Sequence, residues 1–390
     1  MLTQAADPIL GLADEHEALR ARVEQLAQEH IVPVLVETDR DERYPHEVFA
    51  AFGAEGLLGG TLPEEYGGAG LDNVALTVMC EELGRYSQPI AGLIGGVSTV
   101  FGTGLMQYGT EEQRRRYLIP YARGETTGAL ALTERRSGSD AAGMGCTATK
   151  ADGGWVLDGE KAWIDSAGVA DWFIVFAQGD RSQGTRGINA YVVERGTPGF
   201  TTQEYKGKHG WRPSSVGELH FERCFVPDEA LVGEPGRGYR VAMASVGYGR
   251  LQVAARHCGG LRACLDASVA WANERELYGR PIAEKQLIQT KIVDMSLALD
   301  TGRYLTYRFA RLLDAGEMAR REGSMAKVYT AEALMRSAHD AVQIQGARGI
   351  GADSLVGRLF KDAKVSEIVE GANEVQRTLI AEYELGIRQA

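Results

Sequence analysis

Paired-cysteine spacing is missing from this 390-residue chain. Its five cysteines, Cys80, Cys146, Cys224, Cys258 and Cys264, form no CxxC and have no histidine in a metal-ligand pattern beside them. A disulfide framework and a structural zinc site are therefore not expected, and no metal is assigned. Cys258 follows His257, but the pair sits in a long helical pattern and reads as core packing. Positive charge is also short: the net charge is −11 with a pI near 5.3, which speaks against general attraction to nucleic acid or to an anionic membrane surface. A basic region and a continuous apolar core are absent near Asp7 and Asp14, so no signal or transit peptide is expected there, and a cytoplasmic, reduced protein fits. The stretch from Ser87 to Thr110 carries no charge and is long enough to cross a bilayer. It also holds six glycines with Ser98, Thr99, Thr103 and Gln107, which favours a buried helix and turn over a membrane span. Repeats and low-complexity linkers are lacking too, so the domains should pack tightly.

What is present is ordinary globular composition, 44% hydrophobic, in a chain long enough for two or three sizeable cores. From Asp14 to Arg123 the apolar residues keep a helical period, with Leu19, Val23, Leu26 and Ile31 on one stripe. Pro33 should kink or end that first helix. Thr110-Glu111-Glu112-Gln113 reads as a capping box, and Asp72 as the cap of the helix after the PEEYGGAGLD loop. Near Gly128 the period changes to short alternating runs: ALALTE, TATKA, WVLDGEKAWI, WFIVFAQ, INAYVVE and GELHFER. Gly153-Gly154 and Asp158-Gly159 are read as hairpin turns. After Gly236 the helical period returns in three long stripes, which with a helix after Ala372 predict a four-helix bundle. The fold class is thus α+β multidomain: an N-terminal helical domain over 1–128, a β domain over 129–235 and a C-terminal helical bundle over 236–390.

Three stretches carry chemistry. In KDAKVSEIVEGANEVQR, Glu370 follows Ile368 and Val369 and precedes Gly371, so its carboxylate leaves a helical segment where backbone can approach a ligand. A carboxylate in an apolar cleft is a stronger base than an exposed one. Glu367, Glu370 and Glu374 also recur at helical spacing, the pattern of a solvated face. In LALTERRSGSD, Thr133 and Ser139 place hydroxyls beside Gly138 in a loop after a strand, suited to hydrogen-bonding a polar planar ring. In KAWID, Trp163 stands among polar groups on another strand.

Taken in order, PEEYGG at 63, TERRSGSD at 133, KAWI at 161, ERELYGRPI at 274 and VEGANEVQR at 369 resemble the FAD-dependent acyl-CoA dehydrogenase family over nearly the whole chain. The resemblance implies a homotetramer with FAD between the last two domains. It implies that a base removes the α-proton of an acyl thioester while the β-hydrogen passes as hydride to flavin N5. Glu370 matches that base, and its own backbone N–H would help hold the enolate oxygen. Leu132, Thr133, Gly138, Ser139 and Trp163 match flavin-contacting positions, with Asp165 at the N5 side. Arg275, Tyr278 and Gln286 match a group that reaches the FAD of a neighbouring subunit, while Gln343 and Gly346 match its adenosine end. Ala372 and Glu374 fall at further cofactor positions, and Ser139, Arg250 and Gly371 at substrate positions. Gly249 stands where some members carry the base, so Glu370 has no visible rival.

This chain departs from the family pattern at four places. Asp165 replaces a Thr or Ser that donates at N5, and an ionised Asp only accepts; Asp165 is expected either to be protonated or to lower the flavin potential. Arg135 and Arg136 replace a Pro and a small residue, Ala372 replaces a Thr, and Ala347 replaces the second Gly of a pair. These changes point to a specialised substrate carried on CoA or on an acyl carrier protein, with an electron-transferring flavoprotein as the expected acceptor. The alternatives are a non-catalytic flavin-bearing subunit of a hetero-oligomer and an acyl-thioester oxidase using molecular oxygen.

Overall fold

The computed structural model describes residues 10–387; Asp7 and the two chain ends, 1–9 and 388–390, lie outside the described residues. The N-terminal helices are α1 (Asp14–Leu26), α2 (Leu35–Asp41), α3 (His46–Ala54), α4 (Asn73–Gly84), α5 (Gln88–Gly96), α6 (Gly102–Tyr108), α7 (Glu111–Gln113) and α8 (Ile119–Ala122). Pro33 does break the first helix, through a wider turn at Ala27–Ile31 and a tight one at Val32–Val34. Asp72 caps α4 by accepting from Ala75 N at 2.7 Å. Thr110 and Gln113 exchange the two bonds of a capping box. The uncharged stretch over α5 and α6 is long and apolar enough to cross a membrane, yet nearly all of it is buried inside the fold.

The middle region is a seven-stranded sheet: β1 (Gly128–Ala131), β2 (Thr147–Ala151), β3 (Gly154–Ile164), β4 (Trp172–Gln178), β5 (Ile188–Glu194), β6 (Phe200–Glu204) and β7 (Gly217–Pro227). β1 runs parallel to β4, while β4 with β5, β2 with β3, β3 with β7 and β6 with β7 are antiparallel. Strand β6, a short FTTQE segment, was not marked by the sequence pattern. The Gly153-Gly154 turn joins β2 to β3 as expected. The expected hairpin at Asp158-Gly159 is corrected: both residues lie inside β3, where the register with β7 shifts between Leu157 and Gly159. Gly159 there has φ 134°, and a Cβ on it would lie 2.8 Å from Cys146 Cα. Asp158-Gly159 is therefore a bulge that aims the end of the strand.

Beyond the sheet come α9 (Gly238–Glu274), a small hairpin of β8 (Glu276–Leu277) and β9 (Arg280–Pro281), then α10 (Gln286–Asp314), α11 (Arg320–Gln345), α12 (Leu355–Ser366) and α13 (Asn373–Glu384). α12 is one more helix than the apolar stripes had shown. The continuous apolar run of β4 has a simple cause. Trp172, Ile174 and Phe176 pack into the core shared with the N-terminal helices and α9, while Phe173, Val175 and Ala177 pack into the core of the sheet. A strand buried on both faces loses the alternation of a half-exposed one. The three regions are thereby locked through common side chains, each large apolar one contributing about 1.5–3 kcal/mol on burial.

Candidate active site

Glu370 sits in the loop between α12 and α13 at φ 55°, so the helical spacing of Glu367, Glu370 and Glu374 does not describe one continuous helix. Gly371 follows at φ 87°, and a Cβ on it would lie 2.2 Å from Gln376 Nε2. Only glycine meets both conditions without strain. The loop is tied from below by Lys327 on α11. Its buried ammonium donates to the Glu367 carbonyl at 3.3 Å, the Gly371 carbonyl at 3.1 Å and Asn373 Oδ1 at 2.6 Å. Glu370 Oε2 is buried and has no hydrogen-bond partner among the described residues. Burial pushes the Glu370 carboxyl up to about 7, opposed by the charges of Arg256, Arg250 and Lys327. The same burial brings Lys327 down to about 8, with Glu370 acting to raise it.

α9 presents the facing wall. Gly249 abuts the carboxylate, since a Cβ there would lie 3.1 Å from Glu370 Oε2 and 2.6 Å from Val100. Arg250 is buried and donates to Ser324 Oγ at 3.4 Å, and that hydroxyl in turn donates to Gln376 Oε1 at 2.9 Å. Arg250 is thereby joined to the same scaffold that holds the Glu370 loop.

The sheet supplies the other side. Ala162 N donates to the Thr133 carbonyl at 2.9 Å and Lys161 Nζ to the Leu132 carbonyl at 3.2 Å, which sets TERRSGSD beside KAWI. Lys161 is fully buried and pairs with Glu134 at 2.8 Å, while Glu134 also accepts from the backbone of Gly145 and Cys146. This pair fixes the loop from Leu132 to Cys146. Trp163, at φ 60°, packs on Tyr205 with ring centroids 4.6 Å apart and leaves 64% of its surface exposed. A Cβ on the exposed Gly138 would meet nothing within 4 Å. An uncovered indole beside a hydroxyl-bearing loop with open space at Gly138 fits a flat aromatic cofactor. Arg135 does not add free charge to this loop, because it pairs with Glu218.

Asp165, at the end of β3, turns toward the bundle. It accepts from Trp211 Nε1 at 3.2 Å and from Ser214 Oγ, and burial raises its pKa from the usual carboxylate value. Trp211 N donates to Asp362 Oδ1 of α12 at 2.7 Å. One residue thus staples the Asp165 end of the sheet to the helix that leads into the Glu370 loop, and the negative charge of Asp165 acts on Glu370. The sequence reading missed Lys327, Trp211 and the Glu134–Lys161 pair. Only the position of Lys161 within KAWID carried a signal.

Other sequence-predicted positions lie elsewhere. Arg275, Tyr278 and Gln286 are exposed around the β8–β9 hairpin, with Tyr278 93% exposed. They stand at the far end of α9, about 36 Å along the helix from Arg250 at 1.5 Å per residue, and the single chain does not bring them to Glu370. Gln343 and Gly346 lie at the exposed end of α11, where Gly346 terminates the helix. Ala372 is the N-cap of α13 and offers no side-chain acceptor there, and Glu374 is exposed in the first turn.

Three domain families match the chain in order: acyl-CoA dehydrogenase N-terminal domain over residues 13–125, middle domain over 129–224 and C-terminal domain over 236–385. An acyl-CoA dehydrogenase of Bacillus subtilis is 39% identical over 97% of this chain and 100% of its own length. Butyryl-CoA dehydrogenase from Megasphaera elsdenii is 33% identical with TM-score 0.92, over 96% of this chain and 99% of that one. PigA, solved with FAD and proline, is 26% identical with TM-score 0.92, over 97% and 99% of the two chains. With three successive domain matches laid on helices, sheet and bundle in the same order, this chain belongs to the acyl-CoA dehydrogenase family of FAD-dependent oxidoreductases.

Proposed function

We propose that Glu370 is the base that removes the α-proton of an acyl thioester during acyl-CoA dehydrogenation. The observation that carries this reading is its buried, unpartnered Oε2, held with a pKa near 7 against the Gly249 face of α9. A carboxylate tuned near working pH combines a large ionised fraction with real basicity. Lys327 and the Arg250–Ser324–Gln376 chain orient the loop, and the Glu370 backbone N–H supports the developing enolate oxygen. Thr133, Gly138, Ser139 and Trp163 would hold the flavin ring. FAD supplies the two-electron acceptor for the β-hydrogen. Leu132, Asp165, Ala372 and Glu374 would border the same cofactor, and Ser139, Arg250 and Gly371 the thioester.

A homotetramer completing the site through Arg275, Tyr278 and Gln286 is supported by apolar side chains left in the open on α10, Leu287 at 82%, Val293 at 54% and Leu297 at 62% exposed. Electrons then pass to an electron-transferring flavoprotein. The decisive experiment is anaerobic titration of the yellow protein with acyl-CoAs. Bleaching of the oxidised-flavin band in the parent, with about 100- to 10,000-fold slower bleaching in Glu370→Gln, supports the assignment. An equal rate in the variant removes Glu370 from the role. Peroxide formation during turnover would instead identify an oxidase.

A further inference from the structure

Glu370 is accompanied by a buried cation that the reaction does not use. Arg256 on α9 is 1% exposed. Its Nη1 donates to Gln252 Oε1 at 2.9 Å, its Nε has no partner among the described residues, and its guanidinium lies over the Trp211 ring at 4.9 Å. The neighbouring acids are otherwise engaged. Asp165 takes hydrogen bonds from Ser214 and Trp211, and Asp362 takes the Trp211 backbone N–H. With Glu370, both act on Arg256 only through longer-range charge. A guanidinium presents five donors in a fixed fork, and burying it with one amide partner is costly unless a further acceptor arrives.

Position on the helix says where that acceptor would be. Gly249, Gln252, Val253 and Arg256 follow one another at spacings that share a face of α9. Gly249 marks the carboxylate of Glu370, and Arg256 stands two turns further, about 10 Å along the axis. Its side chain leans back toward the helix N-terminus, as helical side chains do. The opposite wall is Gly92 of α5, where a Cβ would lie 2.9 Å from Trp211 and 3.6 Å from the guanidinium carbon. With no side chain at Gly92, the Trp211 ring packs directly against α5 and the guanidinium carbon lies close beside it.

Resting on the assignment of Glu370 as base, we infer that Arg256 receives the terminal carboxylate of a short ω-carboxyacyl thioester, about four to six carbons long. This chain then acts on the monothioester of a dicarboxylic acid. The α-proton goes to Glu370, the β-hydrogen leaves with its electron pair to the flavin, and the product is the ω-carboxy-2-enoyl thioester with its carboxylate unchanged. Bidentate pairing of guanidinium and carboxylate fixes the far end of the chain. A methyl-terminated acyl group leaves the buried donors unmatched, and sites built this way reject such analogues strongly.

The test compares glutaryl-CoA and adipoyl-CoA with pentanoyl-CoA and hexanoyl-CoA on the FAD-loaded enzyme, reading anaerobic flavin bleaching and kcat/KM. The expected result is at least about 100-fold preference for the carboxylate-ended thioesters, reversed in Arg256→Met and partly kept in Arg256→Lys. Preference of the parent enzyme for methyl-ended chains overturns the inference while leaving the dehydrogenase reading intact, and needs no variant to be stable. Carboxylate preference that survives in Arg256→Met removes Arg256 from the role. Failure of every thioester to bleach the flavin overturns the Glu370 assignment and this inference together.

Discussion

Lys327 Nζ donates to the Gly371 carbonyl at 3.1 Å, so a cation on α11 pins the residue directly after Glu370. With its bonds to the Glu367 carbonyl and Asn373 Oδ1, the ammonium replaces helical hydrogen bonds that a loop at positive φ cannot make.

Lys327→Met should therefore cost about 100-fold in kcat through misplacement of Glu370, with FAD still bound. Lys327 also lowers the pKa of Glu370 by its charge, so its loss should move the acidic limb of the pH–rate profile to higher pH. Initial rates from pH 5 to 9 check both. An unchanged acidic limb would show that the ammonium serves the backbone alone.

The pH dependence of the parent enzyme follows from Glu370 itself. Its pKa is raised from 4.5 to about 7 by burial, so in the proposed role of base it is protonated and idle below that value. kcat/KM should fall roughly tenfold per pH unit on the acid side of about 7. The sign for stability is opposite. A carboxyl with a raised folded pKa favours the fold below its unfolded value near 4.5, and that contribution is lost as pH rises through 7. An acidic limb near pH 4.5 would contradict burial of the carboxyl.

Asp165→Thr should raise the flavin midpoint potential by on the order of 30 mV, about 1.4 kcal/mol for a two-electron couple, because a carboxylate opposes charge on the reduced ring. Asp165 is held by Trp211 and Ser214, so Asp165→Asn, which keeps the shape, serves as the second variant. Dye-equilibration titration reads the potential, and an unchanged value in both variants means that Asp165 is uncharged or too distant to act.

Lys161→Met breaks the buried pair with Glu134 and leaves a carboxylate without its cation. A loss of about 3–5 kcal/mol in unfolding free energy is expected, together with weaker retention of FAD as the loop from Leu132 to Cys146 loosens. Urea unfolding and the flavin absorbance of the purified variant measure the two effects. Full stability would mean that the backbone bonds of Gly145 and Cys146 alone satisfy Glu134.

Much of the architecture was legible in the sequence because its signals are local. Helical period over α9, α10 and α11, the caps at Asp72 and Thr110 and the break at Pro33 each depend on residues within a few turns of one another. The five motifs were likewise readable in order, and with them the family and its cofactor. Asp158-Gly159 misled because the same dipeptide suits a turn or a bulge, and only pairing with β7 decides between them. α12 showed only as the helical segment running into Glu370, because its buried apolar residues, Val356, Leu359 and Ala363, form a stripe too thin to stand out. The partners of Glu370 could not be read at all: Lys327 is 43 residues away and Arg256 is 114, and charged residues on helices look solvated until packing removes the water. Sequence determined which groups are available and which local backbone each one occupies. Tertiary structure decided which charges are buried, and burial sets both the basicity of Glu370 and the unmet donors of Arg256, because the cost of a charge depends on everything packed around it.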